Sequence, residues 1–331
     1  MSDIRFDVTG IGNAIVDVIA DADDAFLTEN GIEKGSMQLV DADRAEVLYG
    51  KMGQAIEVSG GSGANTIAGI ASLGGACAYL GQVKNDQLGT VFAHDIKALG
   101  VTFPTSLKDT GAPTARCLIM VTPDAQRSMN TFLGASASFG TEQIDEACVS
   151  DAKITYLEGY LFDSPAAKEA YYKAAGIAHA AGRKVALTLS DGFCVDRHRA
   201  DFRKLVKEEV DILFANEAEI LSLYETDVFD DALQAVKEEC AFVALTRSEA
   251  GSVIAADGQI HVIDAAAVDK VVDTTGAGDL YAAGVLFGIV TERSPAECGQ
   301  LGSLAAAEAI SHYGPRPLVS LKELASAQGL L

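Results

Sequence analysis

The chain has 331 residues, 47 acids against 25 bases for a formal charge of −22, and an apolar fraction of 49% without a single Trp. Its length suits one large domain or a domain with an appendage, and its charge excludes a nucleic-acid scaffold held by a broad basic face. Any phosphate ligand must therefore be held by local devices: backbone amides, a metal ion, one or two Arg. Cys77, Cys117, Cys148, Cys194, Cys240 and Cys298 are scattered without a C-x-x-C pair, which predicts buried reduced thiols rather than a disulfide or zinc framework. The start, MSDIRFDVTG, lacks the long apolar segment of a signal peptide, and no stretch approaches the length of a membrane span. The expectation is a soluble cytoplasmic protein with neither nucleic acid nor membrane as partner.

In chain order, β-rich runs are FDVTGIG (6–12), CAYLGQV (77–83), ITYLEGY (154–160), KVALTLS (184–190), DILFAN (211–216) and FVALTR (242–247). Helical patterns follow several of them, over 65–74, 86–100, 164–182 and 232–240. This alternation predicts an α/β domain with a largely parallel sheet, whose apolar runs suit strands covered on both faces. Residues 16–57, with a possible strand VDVIADA, and residues 112–133, a hairpin turning at TPDAQ, break the rhythm. Together they read as a small β appendage; two ordinary surface excursions are the alternative.

No G-x-x-x-x-G-K-[ST] occurs, so a P-loop is excluded. GIGNAI (10–15), GSGANT (61–66) and GAGDLY (276–281) each lack the third glycine of a dinucleotide fingerprint, which leaves a nicotinamide oxidoreductase as a weak second class. In SGGSGAN (59–65) and TTGAGD (274–279), glycines precede a run of small residues. Such a turn lets successive N–H groups point at one anion while the helix that follows adds its positive end. Tight turns explain either stretch alone equally well. Asp279 tips the balance: with Thr274 or Thr275 available as cap, it falls in the first helical turn beside the anion site. There a carboxylate can accept the proton of a hydroxyl attacking a phosphoryl group.

GGSGAN (60–65) and DTTGAGD (273–279) resemble the two signatures of the ribokinase-like (PfkB) carbohydrate and nucleoside kinases, the second at all seven positions. The likeness runs along nearly the whole chain, and GNAIVDV (12–18), LTLSDGF (187–193), DILFANEAE (211–219) and AQRSMNTFLGAS (125–136) are most similar to the adenosine kinases. The resemblance implies a three-layer α/β/α core over 1–15, 58–107 and 136–331, with a small β-rich lid over 16–57 and 108–135. It implies transfer of the γ-phosphate of ATP to a primary hydroxyl, that of adenosine first, with another purine nucleoside or a sugar such as ribose, fructose or a keto-deoxy sugar as alternatives. A non-catalytic sensor of the same fold would have no need of Asp279.

Carried over residue by residue, Asp279 becomes the general base, and Gly276, Ala277 and Gly278 the anion hole. Asp17 would hold two ribose hydroxyls with Asn13, Gly60, Gly61 and Asn65. Two carboxylate oxygens suit a vicinal diol, although Asp17 alone reads as a solvated acid at a strand end. Gln38, Val40, Leu133 and Leu161 would approach the base, Leu161 standing beside Tyr160 where animal adenosine kinases stack an aromatic ring. Arg127 would bring charge from the lid to the phosphates, or be a solvated hairpin Arg. On the ATP side stand Asn216, Thr246, Ser248, Gly251, Thr275, Gly276 and Gly278, with Ser248 replacing the glycine of the usual T-x-G. Asn216 and Glu219 resemble the motif that orders Mg2+ through water, and are equally a capping box. A monovalent cation, K+, would sit by the carbonyls of Asp273 and Thr275, opposite loop 309–317. The chain would act as monomer or homodimer on ATP and a small nucleoside or sugar.

Overall fold

A computed structural model describes residues 4–124 and 126–331; residues 1–3 of the expected core and Ala125 of the TPDAQ turn lie outside them. The strands are β1 Phe6–Ile11, β2 Ile15–Asp21, β3 Met37–Leu39, β4 Ala55–Gly60, β5 Cys77–Leu80, β6 Ala115–Val121, β7 Arg127–Phe132, β8 Ala152–Glu158, β9 Lys184–Thr188, β10 Ile212–Asn216, β11 Phe242–Thr246, β12 Ser252–Ala256 and β13 Gln259–Ile263. One eight-stranded sheet has the order β13-β12-β11-β10-β9-β8-β1-β5. It is parallel from β11 to β5, with β12 and β13 antiparallel at one edge.

Side chains alternate across this sheet. Leu157, Leu187, Leu213 and Val243 pack towards helices Pro165–Ala180 and Gly192–Glu209. Tyr156, Ala186, Phe214 and Ala244 pack with residues of helices Ser62–Leu73, Ala277–Val290 and Pro295–Ala309. Burial on both faces explains why the strands read as near-continuous apolar runs, and the three layers agree with the expected fold. The same burial hides Ala277–Val290 from a periodicity search: it is buried along most of its length and has no polar face. The β12–β13 hairpin turns through Asp257 and Gly258, both at positive φ, as an Asp-Gly hairpin requires.

Residues 15–60 and 115–132 supply a second sheet, ordered β3-β7-β6-β2-β4. One face, with Val18, Leu118 and Met120, closes on Leu27, Ala45 and Leu48 of two short helices. Its other face, with Ile15, Cys117, Ile119, Met129 and Leu133, looks into a cleft at the carboxyl ends of the main strands. Asp17 shares that apolar face by the period-2 rule. All six cysteines are unpaired and buried.

Candidate active site

The cleft holds about 1330 Å³ between the two sheets. Strands β1, β8, β9, β10 and β11 deliver Asn13, Glu158, Thr188, Asn216 and Thr246 to it at their carboxyl ends, the place where open parallel sheets bind ligands. Its far wall is the start of helix Ala277–Val290, where Thr275, Gly276, Ala277, Gly278 and Asp279 all line the cavity.

Gly276 is the N-cap of that helix, with φ +79. A Cβ there would lie 2.6–2.8 Å from atoms of Pro315, so left-handed geometry and close packing both demand glycine. Thr274 and Thr275, expected as caps, are not: the helix start has no side-chain cap, and the Thr275 hydroxyl donates to Asp273 Oδ1 at 2.8 Å. The Ala277 N–H closes the turn onto Thr274 O at 3.2 Å, whereas Gly278 and Asp279 stand among the first helical positions, whose N–H groups find no partner within a helix. These amides and the helix dipole give the turn the chemistry that suits an anion.

Asp279 accepts from Ser62 Oγ at 2.6 Å and from Asn65 Nδ2 at 3.0 Å, so the two glycine-rich motifs meet on one carboxylate. Burial raises its pKa against those two hydrogen bonds, which strengthens it as a base. Across the cleft Asp17 is buried, and burial pushes it up to about 7, with Arg316 and Arg127 pulling it down and Asp279 pushing it up. A Cβ on Gly60 would meet Asp17 Oδ2 at 2.3 Å; Gly60 makes room for the carboxylate, and Gly61 and Asn65 line the cavity.

Asn13 is oriented by a residue the sequence reading passed over. Buried Glu158 accepts from Asn13 N at 3.2 Å, Asn13 Nδ2 at 2.8 Å and Gly63 N at 2.7 Å. Burial lifts its pKa to about 7, against those donors. An acid closing the apolar run ITYLE was the available signal. Asn216 and Glu219 form a complete capping box, Asn216 Nδ2 donating to Glu219 Oε1 at 2.6 Å and Glu219 N to Asn216 Oδ1 at 2.9 Å. Both line the cleft, and burial raises Glu219 to about 7.

Four expected contacts fall elsewhere. Gln38 donates to Asn130 at 2.6 Å and Val40 joins the cluster behind the sheet; Met37 and Leu39, one position earlier, face the cavity. In a strand, a slip of one residue exchanges the faces. Leu161 belongs to the main core, and Tyr160 lines the cleft instead. Arg127 is not among the residues lining the cavity: its Nη2 pairs with Asp273 Oδ2 at 2.7 Å, both side chains buried. Leu133, Thr246, Ser248 and Gly251 do line the cleft.

The pattern of the pfkB family of carbohydrate kinases matches residues 35–321. The chain is similar to adenosine kinase 2 of Arabidopsis thaliana, 29% identical over 92% of this chain and 94% of that protein. Among solved structures it is similar to an adenosine kinase from Sinorhizobium meliloti, at 54% identity and TM-score 0.92, covering 98% of this chain and 99% of that one. A probable sugar kinase from Rhizobium etli is 52% identical with TM-score 0.94, covering 99% and 100%.

Proposed function

The chain belongs to the pfkB family of carbohydrate kinases, and we propose that it transfers the γ-phosphate of ATP to the 5′-hydroxyl of adenosine, giving AMP. One observation carries the choice of acceptor. Asp17 is the carboxylate on a sheet face where Ile15, Met37, Leu39, Ile119, Met129 and Leu133 line the cleft together with Cys117 and Thr131. A vicinal diol attached to a flat apolar body fits that surface; a free sugar leaves the apolar wall unused. The high identity to an adenosine kinase supports the same reading.

Asp17 would accept from the two ribose hydroxyls, with Asn13 and Asn65 beside it, and so aim the 5′-hydroxyl at Asp279. Asp279 would take the proton of that hydroxyl as it attacks, while the turn at Gly276–Gly278 receives the charge of the moving phosphoryl group. Thr246, Ser248, Gly251, Thr275 and Asn216, which line the same cleft, would surround the nucleotide. Glu219, a carboxylate whose pKa burial raises, and Asn216 would hold Mg2+ through water, and the ion would neutralise phosphate charge. We extend the reading to K+ beside the carbonyls of Asp273 and Thr275, where the Gly314 N–H donates to Asp273 at 3.0 Å and draws the C-terminal loop close. Replacing K+ by Na+ in the assay tests that part. We further take residues 16–57 and 108–135 as a lid that excludes water from the phosphate.

ADP release with MgATP against nucleosides and free sugars tests the whole reading. Adenosine is expected to outpace ribose and fructose in kcat/KM. A higher kcat/KM for either sugar would replace the nucleoside with the sugar as substrate, a reading that the likeness to the Rhizobium etli protein keeps in view.

A further inference from the structure

Arg316 is absent from the family-derived site, yet it holds two residues, Ser59 and Asn65, beside the acceptor half. It lies in the C-terminal loop next to Pro315, which packs on Gly276. From there its Nη1 donates to Ser59 Oγ at 2.5 Å and its Nε to Asn65 Oδ1 at 3.4 Å. A guanidinium has donors only, so the end of Asn65 that faces it must be the carbonyl oxygen. The amide nitrogen is then turned to Asp279 Oδ2, at 3.0 Å. A flipped Asn65 would set NH2 against Arg316 and a carbonyl against a carboxylate, two repulsions at once. Ser59 is itself held, its hydroxyl donating to Asp95 at 3.1 Å, so the guanidinium has a fixed seat.

The third guanidinium nitrogen, Nη2, is buried with no hydrogen-bond partner. Four groups bear on Asp17: Arg316 from the C-terminal loop, Arg127 from β7, Asp279 from the first turn of its helix, and the Cys117 thiol on β6, which burial keeps protonated. Arg127 already faces the Asp273 carboxylate at 2.7 Å, whereas Arg316 donates to the neutral side chains Ser59 and Asn65. Its seat, Ser59, adjoins Gly60, whose Cβ position meets Asp17 Oδ2, and Asp17 and then Asp95 support its charge against the burial that depresses its pKa.

We infer that Arg316 is the positioning residue of the acceptor half-site: its guanidinium fixes the Asn65 amide towards the catalytic base and supplies the positive charge against which Asp17 takes up a vicinal diol. The inference rests on the reading of Asp17 as the diol carboxylate. It touches neither the nucleotide nor the reacting atoms.

The test compares the wild type with Arg316→Gln and Arg316→Lys, measuring KM for adenosine and for ATP, and kcat, from pH 6 to 9 (roughly the span over which such a carboxylate titrates). In the wild type, KM for adenosine is expected to rise as pH falls through about 7, as Asp17 gains a proton. In Arg316→Gln that inflection moves up by roughly one pH unit, raising KM for adenosine about fivefold at neutral pH, with KM for ATP unchanged. Arg316→Lys restores the pH profile, because the charge returns, but not kcat, because the fork onto Asn65 does not. A wild-type profile in Arg316→Gln, or an equal rise in both KM values, overturns the inference. So does a lower melting temperature with an unaltered profile, which assigns Arg316 to folding alone. The wild type is also assayed with 2′-deoxyadenosine: equal use of the two nucleosides removes the diol reading itself, whereas clear preference for adenosine with an unaltered Arg316→Gln profile removes the inference alone.

Discussion

The two halves of the cleft are built by different means. The phosphate half is backbone: a glycine turn at 276–278, a helix start and a loop pressed onto it, all contiguous or packed by one proline. The acceptor half is made of side chains from the ends of β1, β2, β4 and β8, the edge strand β3, and the loop holding Arg316. A backbone site tolerates little change and discriminates little, since every phosphate meets the same amides. A side-chain site can be retuned one residue at a time, and under the proposed function the choice between nucleoside and sugar falls there.

Asp279 joins the halves, so its loss has the largest expected effect. Asp279→Asn retains hydrogen-bonding capacity but cannot take a proton. It should cut kcat by at least ~10²-fold, the usual share of a general base, with KM for adenosine within a fewfold of the wild type. Steady-state kinetics checks this, and normal turnover in the variant would remove the carboxylate from the mechanism. Gly276→Ala probes the backbone half. The added methyl must enter left-handed space at φ +79 against Pro315, costing about 1–2 kcal/mol of stability for the backbone alone. The expected kinetic signature is a fall in kcat of roughly tenfold or more as the turn reshapes. Thermal melting and kinetics together separate this from Asp279→Asn, which leaves the fold as it is.

The acceptor half is probed by a pair of substitutions that differ by one position. Leu39→Ala should raise KM for adenosine about tenfold, the order of a lost apolar contact in a pocket, with little change in melting temperature, since Leu39 is half exposed at 50%. Val40→Ala should do the reverse: about 1 kcal/mol of stability lost from the cluster behind the sheet, and KM unchanged. The opposite outcome would move β3 by one residue.

That pair marks where legibility stops. The glycine turns and Asp279 were readable because each residue type carries its chemistry in a local pattern, whereas Asp17, Asn13 and Asn65 were reached only through the family resemblance. The α/β order was readable because the strands are short apolar runs between punctuating turns. The face of β3 was not: a three-residue strand offers too few alternations for the period to declare itself, and an apolar residue on either side looks the same. Tyr160 was lost to its neighbour Leu161 because the chain leaves β8 into a tight turn at 159–163, where strand alternation no longer holds. Arg127 was assigned by likeness, and only the fold shows Asp273 within reach of it across the chain. Arg316 had no local signal at all; it matters because a C-terminal loop folds over the first glycine motif, a contact that no spacing encodes.

The smallest expected effect concerns a single departure from the family pattern. Ser248, in the place of the T-x-G glycine, sits at φ +52, left-handed space that costs an L-residue with a Cβ about 1–2 kcal/mol. Glycine would remove that cost but would lose roughly 0.5–1 kcal/mol through the greater freedom of the unfolded chain. The balance favours Ser248→Gly by up to about 1.5 kcal/mol, a rise of roughly 1–2 °C in melting temperature for a chain of this size. Because Ser248 lines the cleft, on the side proposed for the nucleotide, KM for ATP is the companion measurement. If KM holds while stability rises, the serine is strain carried without function. If KM for ATP worsens, the hydroxyl contributes a contact to the nucleotide that glycine cannot make, and the strain is kept for binding. A drop in melting temperature would contradict both, since it would mean that the left-handed backbone at 248 costs less than the entropy glycine adds.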